Sequence, residues 1–383
     1  MYRVLHLGKF YPPDNGGIES VTASLARGAV RAGHSVSVHC FEEHAKGDAT
    51  DEGVQVFRVR QSIKLASQPL GFKYFWRGWY LARNVDLVHI HAPNMLGAVL
   101  ALFLPRRVKV IVHWHSDVVG KGLLGRFSAP LELAMLRRSD RIICTSQPYA
   151  DASKTVRPFN RKVAVVPLGV SDQRSVYVAG GGIPDSSVLT EKLNAYIAGR
   201  PVVLCVGRLV PYKGYAGLIE TAKLMRTDAA IVIVGGGALA VSLQHQIEEL
   251  RLQNRVFLAG RVEDATLAAL QAMAKVFCMP SNQRSEAFGV ALIEAMVWGL
   301  PLVATRIAGS GVSWVNLHGE SGLNVPPGDV SALAMALDRL LTDRDLRDAL
   351  ASGSRSRYES LFTEQKSVDA TLSVYQSVMK LKS

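Results

Sequence analysis

The sequence predicts an α/β chain made of two consecutive, doubly wound parallel-sheet domains. Three observations carry this expectation. The chain has 383 residues, which holds two domains at roughly 100–200 residues each. In both halves short apolar runs alternate with helix-length stretches, as in parallel sheets built with crossover helices. Between residues 172 and 200 that rhythm breaks, at a glycine run over 180–182 followed by Pro184.

The elements follow in order. Residues 3–7 read as a strand stopped by Gly8. Residues 18–32 have helical spacing, with Val21, Leu25, Ala29 and Ala32 on one face, and end at Gly33, a helix stop. Further strands are expected at 35–40, 54–59, 86–90, 108–113, 141–145 and 162–166. After the break come 202–206, 230–234, 256–259, 276–279, 302–305 and 322–325. The expected division is a first domain over 1–171, an inter-domain region over 172–200, a second domain over 201–362, and a helix over 363–383 that packs back on the first domain. In such sheets ligands bind beyond the carboxyl ends of the strands. With two sheets facing each other, the ligand is expected in a deep cleft between the domains.

Composition narrows the classes. Hydrophobic residues make up 48% and charged residues 20%, an ordinary globular balance. No apolar stretch reaches the length of a membrane span, and the start of the chain lacks the pattern of a secretory signal. Cys40, Cys144, Cys205 and Cys278 are scattered through apolar runs without metal-ligand spacing. A cytoplasmic protein is expected. Net charge is +12 and uneven: residues 1–170 carry 23 Lys plus Arg against 12 Asp plus Glu, the remainder 21 against 20. A basic first half suggests an anionic partner such as phosphate, nucleic acid or membrane lipid.

Four segments after strands carry candidate chemistry. In SEAFGVALIEAMVWGLP, residues 285–301, Glu286 and Glu294 stand eight positions apart. As one helix that is a rise of about 12 Å, comparable to the reach from ribose to sugar across a diphosphate. Backbone N–H groups near Phe288, Gly289 and Val290 could hold a phosphate. In GRLVPYKG, residues 207–214, Arg208 and Lys213 suit a diphosphate. In YPPDNGGIE, residues 11–19, Gly16 and Gly17 permit close approach of a ligand, while Asn15 reads equally as a helix cap and Glu19 as a first-turn acid. In VHWHSDV, residues 112–118, His113, His115 and Asp117 alternate; hydrogen bonding to a sugar is favoured over a metal site. Gly235, Gly236 and Gly237 follow a strand without completing a dinucleotide fingerprint, which argues against an oxidoreductase.

These segments resemble the retaining GT-B glycosyltransferases of family four over essentially the whole chain. The resemblance rests on GGIE at 16–19, HSD at 115–117, VPLGV at 166–170, GRLVPYKG and PSNQRSEAFGVALIEAMVWGLP. The opening VLHLGKFYPPDNGGIE and VHWHSDVV are similar to bacterial polysaccharide mannosyl- and D-rhamnosyltransferases. The resemblance implies a GT-B fold with two Rossmann-like domains. It implies Arg208 and Lys213 on the donor diphosphate, Glu286 on the sugar, Glu294 on the ribose and His115 near the reacting sugar. It places Gly16 and Gly17 against donor and acceptor, Arg261 and Val262 at the base, and Asn15, Glu19 and Asp117 toward the acceptor. No metal and no tightly bound cofactor are implied. The expected donor is a GDP-sugar and the expected acceptor a polyprenyl-diphosphate-linked glycan of lipopolysaccharide O-polysaccharide synthesis. A sugar-nucleotide epimerase of the same fold, or a UDP-sugar donor, is the alternative. An anionic inner-membrane surface, not nucleic acid, is the expected docking partner, with Phe72, Tyr74, Phe75, Trp76 and Trp79 as an interfacial segment.

Overall fold

The computed structural model describes residues 1–14, 16–44, 46–65, 68–117 and 122–380. The chain divides into two units, one of Met1–Val170 with Glu364–Ser383 and one of Ser171–Thr363.

The first unit is built on a sheet of β1 (Arg3–Leu7), β2 (Ser35–Glu42), β3 (Ala49–Asp51), β4 (Val54–Arg60), β7 (Leu87–Ala92), β8 (Lys109–Trp114), β9 (Arg141–Cys144) and β10 (Val163–Val165). A separate hairpin is formed by β5 (Ile63–Leu65) and β6 (Gln68–Leu70). The sheet order is β10-β9-β8-β7-β1-β2-β4-β3, and only β3 runs antiparallel to its neighbour. Strand order reverses at β1, which pairs with β2 on one side and β7 on the other. β7 is buried along its full length, as parallel strands covered on both faces must be.

The Gly17–Arg31 helix packs its Val21, Leu25 and Ala29 face inward. The Glu364–Lys380 helix lies against it, and its Val374, Tyr375 and Val378 join the same core as Val4, Ala26 and Ala29. The approach is close: a Cβ at Gly28 would stand 2.4 Å from Val368 Cγ2. The aromatic segment is the Phe72–Ala82 helix. Tyr74 is not interfacial, because it is fully buried and its hydroxyl donates to Gly8 O at 2.9 Å.

The second unit is a six-stranded parallel sheet of β11 (Val202–Val206), β12 (Ala230–Val234), β13 (Val256–Gly260), β14 (Val276–Met279), β15 (Leu302–Thr305) and β16 (Gly322–Val325). Its order, β13-β12-β11-β14-β15-β16, reverses between β11 and β14. β12, β14, β15 and β16 are buried throughout. Residues 172–200, read from sequence as an inter-domain region, fold with this unit, as does Ser171. Asp172 pairs with Arg355 at 2.6 Å, Leu193 and Ile197 are buried, and the Tyr196 hydroxyl donates to Ile231 O at 3.3 Å.

Candidate functional site

In a doubly wound sheet the loops on either side of the order reversal diverge and leave a crevice at the strand ends. In the second unit those loops follow β11 and β14, and they carry Arg208, Lys213 and Glu286. Lys213 Nζ and Glu286 Oε2 stand 2.6 Å apart. Both residues are nearly enclosed, at 9% and 8% exposure. Ser281 Oγ donates to the same Glu286 oxygen at 3.1 Å, and the Ser310 hydroxyl donates to the Glu286 carbonyl. Glu286 is therefore fixed at its side chain and its backbone. Arg208 is exposed and donates to the Tyr212 hydroxyl at 3.2 Å.

The loops meet because two glycines let them. Gly214 has φ 73°, and a Cβ there would lie 2.1 Å from Pro280 O. That contact holds the cationic loop against the β14 loop. Gly235 has φ 143°, and a Cβ there would lie 2.0 Å from Gly207 O. Leu209 N also donates to Gly236 O at 3.0 Å. The run Gly235–Gly237, discounted in the sequence because it completes no fingerprint, thus packs directly beneath the Arg208 loop. Arg261 is exposed and lies over Gly236, its Nε 3.3 Å from where a Cβ would be; Val262 is half-buried.

Glu286 and Glu294 do not share a helix. The helix is Val290–Val297, and Gly289 before it is left-handed at φ 92°, so the 12 Å helical rise does not apply across the whole interval. The helix start has no side-chain cap. Leu292 N–H donates back to Gly289 O at 2.9 Å, which leaves the first two N–H groups, of Val290 and Ala291, as the ones that suit an anion. Phe288 is buried, Val290 half-buried and Glu294 exposed.

In the first unit Gly16 precedes the Gly17–Arg31 helix, and Glu19 folds back over it: a Cβ at Gly16 would stand 2.1 Å from Glu19 Oε2. Gly17 faces open space. Asn15 lies outside the described residues. Asp117 accepts from Trp114 Nε1 at 2.8 Å and Ser153 Oγ at 2.7 Å, both on Oδ1. These bonds anchor it to the end of β8 and the Gln147–Ala152 helix region.

His115 belongs to a group that sequence reasoning did not assemble. His6 on β1, His89 and His91 on β7, and His113 on β8 are fully or almost fully buried, and His115 just beyond β8 is 6% exposed. Register sets His6 beside His89 and His91 beside His113. His91 Nδ1 lies 3.0 Å from His115 Nε2, and His91 Nε2 lies 3.0 Å from His6 Nδ1. The Tyr375 hydroxyl lies 2.7 Å from His89 Nδ1 and 3.3 Å from His6 Nε2. Burial pushes the His6 and His115 imidazoles down to about 3, and His89, His91 and His113 well below their usual value. All five are neutral near pH 7. Alternation of His with apolar residues in RVLHL, LVHIHA and KVIVHW was the available signal; it needed the strand order to become a site.

Residues 15–174 match the family described as Glycosyltransferase Family 4, and residues 192–357 match Glycosyl transferases group 1. The chain is 30% identical to the O-antigen chain mannosyltransferase C of Escherichia coli, over the full length of both. It is 31% identical to the D-rhamnosyltransferase WbpZ of Pseudomonas aeruginosa, over 94% of this chain and 92% of that one. Among solved structures, sucrose-phosphate synthase from Thermosynechococcus elongatus superposes with a TM-score of 0.80 over all of both chains at 20% identity. Anabaena HepE in complex with UDP and glucose superposes with a TM-score of 0.72 at 20% identity, over 98% of this chain and 100% of that one.

Proposed function

The chain belongs to glycosyltransferase family 4, and from that premise we propose that it transfers mannose or D-rhamnose, with retention, from a GDP-linked donor onto a growing O-polysaccharide. The observation that carries this reading is the enclosed Lys213–Glu286 pair at the order reversal of the second sheet. A lone enclosed ion pair contributes little net stability. A pair that keeps both charges poised at a strand-end crevice has a chemical use. Lys213 has three N–H donors and Glu286 occupies one of them, so a phosphate oxygen can take another. Arg208 and the uncapped start of the Val290–Val297 helix add donors for the same diphosphate.

In this reading the bond to the nucleotide diphosphate breaks as the acceptor oxygen attacks from the same face. The leaving diphosphate takes the acceptor proton, so no side-chain base is required. The protein's contribution is preorganised positive potential where negative charge develops. Glu286 accepts hydrogen bonds from sugar hydroxyls, Glu294 from the ribose, and Arg261 and Val262 line the base. The names of the two full-length relatives, an O-antigen mannosyltransferase and a D-rhamnosyltransferase, support the sugar class; the UDP complex of HepE keeps a UDP-sugar as the competing donor.

The acceptor in this reading is a polyprenyl-diphosphate-linked glycan, met at an anionic membrane face. Its support is a surface of the first unit. Phe72 is 76% and Phe103 61% exposed, with Trp76 and Tyr80 alongside. Exposed Lys73, Arg83, Arg106 and Arg107 are interleaved in sequence with them, and an open depression adjoins, where Arg58, Arg60, Lys73 and Arg77 outnumber Glu42 around Val59 and Trp76. Aromatic side chains among cations suit a lipid interface. No helix among the described residues is long and apolar enough to cross a membrane.

Thermal shift and turnover with GDP-mannose, GDP-D-rhamnose, UDP-glucose and UDP-N-acetylglucosamine test the reading. A GDP-sugar is expected to stabilise most and to yield a product of unchanged anomeric configuration. Stabilisation by UDP-sugars alone would replace the donor, and release of a free epimer would replace the reaction.

A further inference from the structure

The buried imidazoles have a property that their separate positions do not reveal. Each is neutral near pH 7, so each carries one N–H and one bare nitrogen. His115, His91, His6, Tyr375 and His89 are joined end to end through both nitrogens of His91 and His6 and through the Tyr375 hydroxyl. In such a chain every link needs one donor and one acceptor. A third pattern, in which the Tyr375 oxygen accepts from both His6 and His89, leaves the buried hydroxyl hydrogen unpaired; in the two patterns that use that hydrogen, a choice made at one end propagates to the other. In one, all four histidines are Nε2–H and the chain donates from His115 toward His89. In the other, all four are Nδ1–H and it donates from His89 toward His115.

The far end decides between them. His89 Nε2 is buried with no partner. If the chain ran toward His89, that nitrogen would be a buried N–H without an acceptor. If it ran toward His115, the same nitrogen would be a bare lone pair. Buried unpaired N–H groups are rarer in native proteins than unpaired acceptors. At the near end, His115 Nδ1 is neither bonded to a described residue nor among the sealed, unpartnered nitrogens.

We propose that His89, Tyr375, His6 and His91 act as positioning residues that hold His115 in its Nδ1–H form, so that it presents a hydrogen-bond donor to an oxygen of the sugar ligand. The identity of that oxygen's owner rests on the function proposed above; the direction of the chain does not. His113 lies beside this chain with neither ring nitrogen paired, and its ring stacks on His115 at 4.1 Å between centroids. It is a flank and not a link. A metal held by three of these rings is the competing arrangement, for His6, His89 and His91 or for His91, His113 and His115. One nitrogen from each ring of a triad lies within 4.8 Å of the others, but either metal would displace a hydrogen bond of His91, both of whose nitrogens are engaged, to His6 and to His115.

Long-range proton–nitrogen spectra of protein labelled with ¹⁵N-histidine read the tautomers directly, without substrate. The expected result is Nδ1–H for His6, His89, His91 and His115. An Nε2–H form at any of His6, His91 or His115, or a stoichiometric metal on the purified protein, would overturn the proposal. Tyr375→Phe removes the hydroxyl link. It is expected to return His115 to an Nε2–H form or a mixture and to lower turnover about tenfold, the worth of one well-placed hydrogen bond. In a His115→Asn background, where the amide keeps an N–H near the place of Nδ1, Tyr375→Phe should cost no further turnover. An equal loss in both backgrounds would make Tyr375 merely structural and sink the idea. The spectra of the unsubstituted protein decide the tautomers even if a variant does not fold. The expected spectra with no turnover of any nucleotide sugar would refute the proposed function and leave the chain standing.

Discussion

The two sheets reverse strand order in the same way and carry polar groups in opposite ways. In the second unit the strands are apolar apart from Thr305 and Asn324, and the charges stand on loops beyond them, where Lys213 and Glu286 meet at 2.6 Å. In the first unit polar groups are inside the sheet itself, as five imidazoles on and beside β1, β7 and β8. The contrast shows two solutions to one problem. A buried polar group must be satisfied or neutral. The second unit keeps charge and pairs it at the rim; the first gives up charge and hides hydrogen-bonding capacity in the core.

The widest separation between the units is expected on acidification. The folded imidazoles lie below their usual value near 6.5, so the unfolded chain binds more protons as pH falls below that value. Their stabilisation is complete above about pH 6.5 and is lost toward pH 3, each histidine removing up to about 1.4 kcal/mol per pH unit. Hydrogen exchange followed by mass spectrometry from pH 7 to 4.5 should show β1, β7 and β8 losing protection before β11 and β12. Simultaneous loss would mean that the two cores do not differ in this way.

Next in size is the charged pair. Lys213→Ala should raise the transfer barrier by about 2–4 kcal/mol and also destabilise the fold, because Glu286 would be left enclosed and unpaired. Combining it with Glu286→Gln should recover stability without recovering turnover. A single variant with near-normal turnover removes Lys213 from the chemistry.

Smaller effects sharpen the contrast within the imidazole group. His91→Leu strands partners on both sides and should cost about 1–3 kcal/mol in urea unfolding. His113→Leu removes a ring whose nitrogens have no partner, and should change stability by less than about 1 kcal/mol or raise it. Equal costs for the two would dissolve the distinction between link and flank.

Legibility in the sequence follows the same divide. All the parallel strands were readable because two-sided burial makes them short apolar runs. The loops that bring Lys213 and Glu286 together were readable as candidates because glycines and cations directly after a strand stand out from the apolar runs around them. β3, β5 and β6, three residues each, were not, since such short segments carry no periodicity. The helix start near residues 288–290 was readable, but an apolar run does not show that Gly289 is left-handed, so Glu286 lies outside the helix that a rise of about 12 Å to Glu294 assumed. Tyr74 looked like its exposed neighbours until the helix phase turned it toward Gly8. The histidine chain was hidden for a deeper reason: its members come from sequence positions 6 to 375, and only strand order and the last helix bring them together.

That last helix has a consequence in time. Glu364–Lys380 belongs to the first unit, so the second unit is, in chain terms, an insertion within the first. During synthesis from the amino end, the second unit emerges complete and can fold while the first still lacks Val374, Tyr375 and Val378 from its core. The imidazoles then wait, uncovered, for a residue made hundreds of codons after them. The part of the molecule begun first is the part finished last.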